Sequence, residues 1–517
     1  MPGKAAGRSG WDSRALLGCT LVLFLLLSAR LAPVPLERDE GEYAYIAWLM
    51  GEGGIPYKDV FNQKPPGAFL AYRLIMSLFG GTVSGIHWGA HIWTAATAVL
   101  VFAAGRRLLS DSAGVFAAAL YCASVLSPGL MGQAANTETF MALPLAAAAL
   151  LAWRARENGA PARDVFVCGL LVGLATIFKQ VALADGLFIL AWLAWLPRGA
   201  GKGVSSLLRR TGLFTAGGVC VWLPVIGFLA LRGGLADFYR DAVLFNLDYA
   251  GSLTTEGRLA NLTATLGNSL IPHLWPLMLI VAFGLLWLRR PPARGLRRQG
   301  VFCAAWLLFA LLGAGMSGHF REHYFIQPLA PAALSGAALL DAVWSALGRR
   351  AIAAAIPAVM AVSPVLVDAP WYFALSAAEY SRALYGENPF AESPAVAQAI
   401  RESSAPGDRV LVVGSEPQIL FHARRRSASR YILTYPMMMD VPGAAERQRE
   451  FCADAASARP GIIVVVNVRQ SHLYGPWTSP YLFETLNPLL AAHYRQIYPA
   501  AQGPGVPPPV MAFQRSP

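Results

Sequence analysis

The sequence predicts an all-α polytopic membrane domain of about eleven transmembrane helices, followed by a small C-terminal α/β domain outside the membrane. Three observations predict it. Hydrophobic side chains make up 55% of the 517 residues and charged ones 14%, whereas an ordinary soluble protein is roughly a quarter charged. Apolar runs suited to crossing about 30 Å of hydrocarbon recur at 14–36, 82–104, 113–130, 138–153, 165–179, 181–197, 211–231, 267–288, 300–316, 324–345 and 351–370. Beyond residue 370 no further run is long enough, and strand-like and helix-like patterns alternate instead.

The first run is preceded by Lys4, Arg8 and Arg14 and followed by SARLA. A cleaved signal peptide has that look, but so does a retained first span, which is the reading taken. Pro144, Pro224, Pro276 and Pro328 fall within runs, where a spanning helix tolerates proline if its neighbours satisfy the freed backbone groups. Five of the six cysteines (Cys19, Cys122, Cys168, Cys220 and Cys303) also lie in the runs, and Cys452 stands alone beyond them, so no disulfide framework is expected.

Charge orients the chain. Nineteen Lys and Arg lie in the N-terminal tail and the turns at Arg106–Arg107, Arg154–Arg163, Arg198–Arg210, Arg289–Arg298 and Arg349–Arg350, while the longer opposite loops hold nine. The positive-inside rule therefore places the N-terminus in the cytoplasm and, after an odd number of spans, the C-terminus outside. The net charge of +12 punctuates the spans, and a nucleic-acid partner is not expected. This gives a membrane domain over 1–370, with a first outer loop at 37–79, and an outer domain over 371–517. In the latter, GDRVLVVGSEPQILFHARRRSASRYIL reads as strand, turn, helix, strand; a helical pattern at 444–458 and the strand-like GIIVVVN at 461–467 follow.

The outer loops carry the ionisable residues. In the first, Asp39 and Glu42 have the spacing of a capping box, and Glu40 and Glu42 favour the positive end of a helix running through Tyr43 and Ile46. The same placement pre-organises a carboxylate as a base at the membrane surface. Lys64 stands before Pro65-Pro66, which stiffen the backbone and favour an extended lysine. It reads either as an interfacial lysine or as a fixed cation for one phosphate. Glu138, at the start of the fourth run, is a helix-terminal acid or a carboxylate kept for use at the hydrocarbon edge. Lys179 is a snorkelling lysine or a site residue. The loop GHFREHYFIQP gathers His319, Arg321, Glu322, His323 and Tyr324. His319 and His323 have a metal-binding spacing, but no adjacent motif supports a metal, and an anion grip by Arg and His is the preferred reading. Tyr43 and Tyr324 stand beside these charges as candidate substrate contacts. Tyr239, Arg240, Asp241 and Asp248 lie in the 232–262 loop with no assigned role.

Carboxylates and cations from distant loops thus meet on one face of the membrane. Glycosyl transfer from a lipid-phosphate sugar uses such a set: a base, a phosphate clamp and a greasy tail.

The order RDEGEYAY, KPPGAFLAY, a segment ending LFG and then RRLLSDSAGVFAAALY resembles the membrane glycosyltransferases of the protein mannosyltransferase and aminoarabinose transferase superfamily, with the GT-C fold. ANTETFMALP and GHFREHYFIQPLAP are similar to what bacterial members carry. The likeness covers roughly residues 15–345 in layout and is strongest in the first hundred. It implies a polyprenyl-phosphate-linked sugar donor and inverting transfer to a lipid, glycan or protein acceptor, on the outer side of the bacterial cytoplasmic (inner) membrane. It also implies Asp39 as catalytic carboxylate with Glu40 beside it, Lys64 on the donor phosphate, and Glu138 as a second-loop acid. Gly41 stands where relatives have a bulkier residue, so Asp39 and Glu42 both remain candidate bases. Lys64 and Arg321, with His323, His319 and Lys179 near them, are placed to meet the charge on the leaving phosphate. No cofactor is expected, and a divalent metal is not required. The alternatives are a transporter or flippase of lipid-linked sugars, a glycan polymerase or ligase, and a receptor with an outer binding domain. Mid-membrane ionisable residues or two similar halves would mark a transporter, and neither is evident.

Overall fold

The computed structural model describes residues 12–194, 204–290, 295–348, 355–499 and 508–516. Lys4, Arg8, Arg198, Arg349 and Arg350 lie outside the described residues. Helices follow in the order α1 (Ser13–Leu31), α2 (Arg38–Gly51), α3 (Gly67–Phe79), α4 (Val83–Leu108), α5 (Asp111–Val125), α6 (Thr137–Glu157), α7 (Ala162–Thr176), α8 (Leu183–Ala194) and α9 (Val204–Leu231). Next come α10 (Leu235–Phe238), α11 (Phe245–Gly251), α12 (Thr255–Thr265), α13 (Ile271–Trp287), α14 (Arg297–Gly315), α15 (Leu329–Ala346) and α16 (Ala355–Val367). The described part of each of the eleven apolar runs falls largely on a helix. Among the described residues six helical stretches are long and apolar enough to cross a membrane, one of them running continuously from Thr255 to Trp287.

Close helix contacts are made where side chains are smallest. A Cβ on Gly169 or Gly217 would run into the backbone of the facing helix, at Phe214 O and Phe166 O respectively, so α7 and α9 meet backbone to backbone. Gly284 of α13 does the same against Ser335 O of α15.

At one end of the bundle the basic turns gather: Arg107 pairs with Glu157 at 2.6 Å, and Arg298 lies over Trp153. At the other end sit α2 and α3, the helices of the 37–79 loop, and the C-terminal domain.

That domain begins with α17 (Ala369–Phe373), α18 (Ala377–Tyr385) and α19 (Ser393–Glu402). Strands β1 (Val410–Val413), β2 (Ile462–Val466), β3 (Tyr494–Tyr498) and β4 (Val510–Arg515) form one sheet in the order β1-β2-β4-β3. β1 and β2 are parallel, and the β2–β4 and β3–β4 pairs are antiparallel. Helices α20 (Gln418–Ala423), α21 (Ala444–Ala458), α22 (Arg469–His472) and α23 (Tyr481–His493) complete it.

The expected second strand after α20 does not form. Residues 427–433 make one isolated bridge, Val410 to Ser427, and spend other backbone groups on the 37–79 loop. Phe61 N donates to Arg430 O at 2.8 Å, and Tyr45 OH accepts from Ser427 N at 2.8 Å. A segment that serves the membrane domain is not free to extend the sheet.

Candidate active site

The start of α2 sets the site. The expected capping box of Asp39 with Glu42 is displaced by two residues: Glu37 is the N-cap, its side chain accepting from Glu40 N, while Glu40 accepts from Glu37 N, each at 3.2 Å. Asp39 is thereby spared from capping. It stands in the first helical turn, at the positive end of the helix dipole, and its side chain is 21% exposed.

Lys64 is brought to it by the Pro-Pro turn. Pro66 caps α3, and Gly67 N donates to Ile177 O at 2.7 Å, a contact so close that a Cβ on Gly67 would clash. The Lys64 backbone is pinned on both sides, its N–H donating to Asn62 Oδ1 at 2.7 Å and its carbonyl accepting from Tyr57 OH at 2.8 Å. Its ammonium then reaches Asp39 Oδ2 at 2.8 Å and Tyr43 OH at 2.7 Å, with Tyr43 OH 3.4 Å from the same Asp39 oxygen. Burial alone would raise the Asp39 carboxyl; Lys64 and then His323 overcome it and hold Asp39 below the usual carboxylate range. Burial opposes the charge on Lys64, but Asp39 and Glu42 keep it raised.

A second carboxylate–lysine pair lies alongside. Glu138, whose other oxygen accepts from Thr137 Oγ1 at 2.8 Å, pairs with Lys179. The Lys179 ammonium also sits 3.6 Å from the centre of the Tyr324 ring.

A cavity of about 320 Å³ opens over the first pair. Asp39, Lys64, His319, Arg321, His323 and Tyr324 line it, so six of the eleven candidate residues meet there. Tyr43 supports them through Lys64, and the Glu138–Lys179 pair through Tyr324. His319 is stacked on Tyr249 with ring centres 3.9 Å apart, and burial pushes it down to about 4. Burial also lowers His323. Arg321 stays charged; burial opposes it, and Tyr249 and Tyr324 outweigh that. Among the described residues no cluster of three or more His, Cys, Asp or Glu is arranged to hold a metal ion.

Two candidates are placed elsewhere. Glu40 turns into the protein, where its Oε1 accepts from Ala135 N at 2.7 Å and faces His87 Nε2 at 2.8 Å. It is a tie between α2, α4 and the loop before α6, and does not line the cavity. Glu42 is fully buried, and neither of its oxygens has a hydrogen-bond partner among the described residues. Burial pushes it up to about 8, so it is protonated at neutral pH and is not positioned as the base.

The reading by sequence missed Tyr249, Tyr385, Asn388 and Tyr435, which complete the cavity wall. The last three belong to the C-terminal domain, and no motif marks them. Gly41 has its explanation there too: a Cβ on it would stand 2.6 Å from Gln418 N, because α20 rests directly on α2. Asp241, of the unassigned loop, pairs with Arg240 at 3.1 Å and with Arg430 of the C-terminal domain. Another cavity, of about 350 Å³ among α1, α5 and α16, is lined by apolar side chains such as Leu23, Phe24 and Val365.

Residues 63–226 match the family model described as dolichyl-phosphate-mannose-protein mannosyltransferase. In fold the chain is similar to ArnT from Cupriavidus metallidurans bound to undecaprenyl phosphate, with a TM-score of 0.65 and 14% identity over 97% of this chain and 98% of that one. It is also similar to the archaeal oligosaccharyltransferase AglB from Archaeoglobus fulgidus in complex with an inhibitory peptide and a dolichol-phosphate, with a TM-score of 0.53 and 13% identity over 94% and 80% of the two chains. No curated protein matches it by sequence. The family-model match thus covers residues 63–226, and over nearly its whole length the chain has the fold of the ArnT and AglB structures.

Proposed function

We propose that this protein transfers a sugar from a polyprenyl-phosphate donor to a lipid, glycan or protein acceptor of the cell envelope, at the outer face of a bacterial cytoplasmic membrane. The observation that carries the reading is the Asp39–Lys64 pair, at 2.8 Å, on the wall of a cavity that Arg321 and His323 also line. A carboxylate beside fixed cations suits a reaction that needs a proton acceptor and a phosphate clamp together. The similar ArnT structure holds undecaprenyl phosphate and the AglB structure a dolichol-phosphate, in keeping with a donor of that class. The charge asymmetry of the loops supports placing the cavity outside the cytoplasm.

In the proposed step the acceptor oxygen attacks the anomeric carbon from the side opposite the phosphate. The bond from that carbon to the phosphate oxygen breaks, its electron pair leaves on the polyprenyl phosphate, and the configuration inverts. Asp39 takes the acceptor hydroxyl proton as the new bond forms. A carboxylate is too weak a base to remove it beforehand, so its contribution is late proton transfer and orientation, typically about 10²- to 10⁴-fold. Lys64 and Arg321, with His323, meet the charge that grows on the leaving phosphate where water is partly excluded. The scheme uses no cofactor.

Membranes containing the intact protein, Asp39→Asn or Lys64→Ala, supplied with a panel of radiolabelled polyprenyl-phosphate sugars, test it. Transfer of one label by the intact protein, lost in both folded variants, is the expected result. Full-rate transfer by Asp39→Asn removes the base assignment.

A further inference from the structure

A donor phosphate reaching Lys64 finds one N–H open and competes with Asp39 for the charge of the ammonium. Of its three N–H donors, one is given to Asp39 Oδ2 and one to Tyr43 OH. Lys179, the neighbouring lysine, is likewise occupied by Glu138. Arg321 lines the same cavity and makes no ion pair among the described residues, which leaves it as the cation ready to receive an anion first.

We propose that the donor phosphate takes Lys64 away from Asp39, so that the carboxylate is released to act as a base only once a donor occupies the cavity. This rests on the polyprenyl-phosphate reading above and adds an order to it. Before the donor arrives, Asp39 is neutralised by Lys64 and Tyr43, and an acceptor hydroxyl entering alone meets an ion pair. When phosphate engages Arg321 and then Lys64, Asp39 loses the nearest cation and gains an anionic neighbour, and both changes make it a better proton acceptor. Tyr43 OH, within hydrogen-bond reach of both groups, keeps Lys64 positioned during the exchange. The same competition reduces donor affinity, because only the fraction of molecules with Lys64 free is fully competent to bind phosphate.

Undecaprenyl phosphate is a suitable probe, since it needs neither the donor sugar nor the acceptor to be known. Its affinity is measured by calorimetry for the full chain in detergent, as wild type, Asp39→Asn, Lys64→Gln and the double variant, with thermal unfolding to confirm that each is folded. Asp39→Ser replaces Asp39→Asn if the latter does not fold. The expected result is that Asp39→Asn binds about tenfold more tightly than wild type, that Lys64→Gln binds more weakly, and that Asp39→Asn gives no gain in the Lys64→Gln background. An unchanged or weaker affinity in Asp39→Asn overturns the exchange. So does a gain that persists without Lys64, which would reflect general repulsion by the carboxylate. A wild type that does not bind undecaprenyl phosphate instead overturns the polyprenyl-phosphate reading itself.

Discussion

Asp39, Glu40 and Glu42 stand within four positions of one another on α2, yet each meets a different electrostatic setting. Asp39 faces the cavity and a lysine, Glu40 faces a histidine and a backbone N–H, and Glu42 faces neither partner nor solvent. Glu42 offers a direct test, because burial holds its folded form at about 8, well above an unfolded glutamate. Between the unfolded value and about 8 the folded state retains a proton that the unfolded state has lost, so stability falls as pH rises through that window. Glu42→Gln mimics the neutral acid and removes this dependence. In detergent, the variant is expected to unfold near the wild-type temperature at pH 5 and at a higher temperature than wild type at pH 8. The difference at pH 8 corresponds to on the order of a few kcal/mol. Parallel curves at both pH values would show that Glu42 is ionised in the folded protein.

At the scale of the element, α2 is held on three sides, and its acids were legible in the sequence only as far as local spacing reaches. A helix start rich in acid was readable at RDEGEYAY; its cap was not, because Glu37 and Asp39 both suit the position and the choice is made by partners far along the chain. Glu40 meets His87 and Ala135, 47 and 95 residues away. The His87 ring spans the gap, its Nδ1 2.9 Å from Ala32 O and its Nε2 2.8 Å from the Glu40 carboxylate. The run at 14–36 read correctly as helix, as α1, because hydrophobic length needs no partner to be recognised. The extended segment 427–433 misread as strand for the converse reason: its partners are in the 37–79 loop. Glu40→Ala breaks the buried tie and leaves His87 facing nothing. It is expected to cost roughly 3–5 kcal/mol, seen as a large fall in unfolding temperature, whereas Asp39→Asn abolishes transfer with little change in that temperature. Equal unfolding temperatures for the two variants would remove the distinction between a structural and a chemical acid.

Across the whole molecule, the cavity belongs to neither domain alone. Its floor comes from α2, the Lys64 turn and the 318–324 loop, and its far wall from Tyr385, Asn388, Tyr435 and Gln470 of the C-terminal domain. The fold class could be read from the sequence, since apolar length is a property of single segments. That the C-terminal domain closes the site could not, since it depends on Arg38, which looks like any interfacial cation. Arg38 sends Nε to Ser415 O at 2.8 Å and Nη2 to Asn388 Oδ1 at 3.1 Å and Gln470 O at 3.0 Å, with Glu416 3.6 Å away. One planar fork therefore fastens the residue next to Asp39 onto three separate segments of the other domain. A lysine has the charge but not the fork, so Arg38→Lys should restore little of what Arg38→Ala loses. Both variants are expected to keep undecaprenyl phosphate affinity within about twofold of wild type, since Lys64 and Arg321 are untouched, while transfer falls about tenfold or more because a base displaced by even 1 Å loses its alignment. Hydrogen exchange of the 37–43 amides should rise in both. If exchange there is unchanged and transfer still falls, Arg38 acts on the substrate itself and the cavity is closed by other contacts.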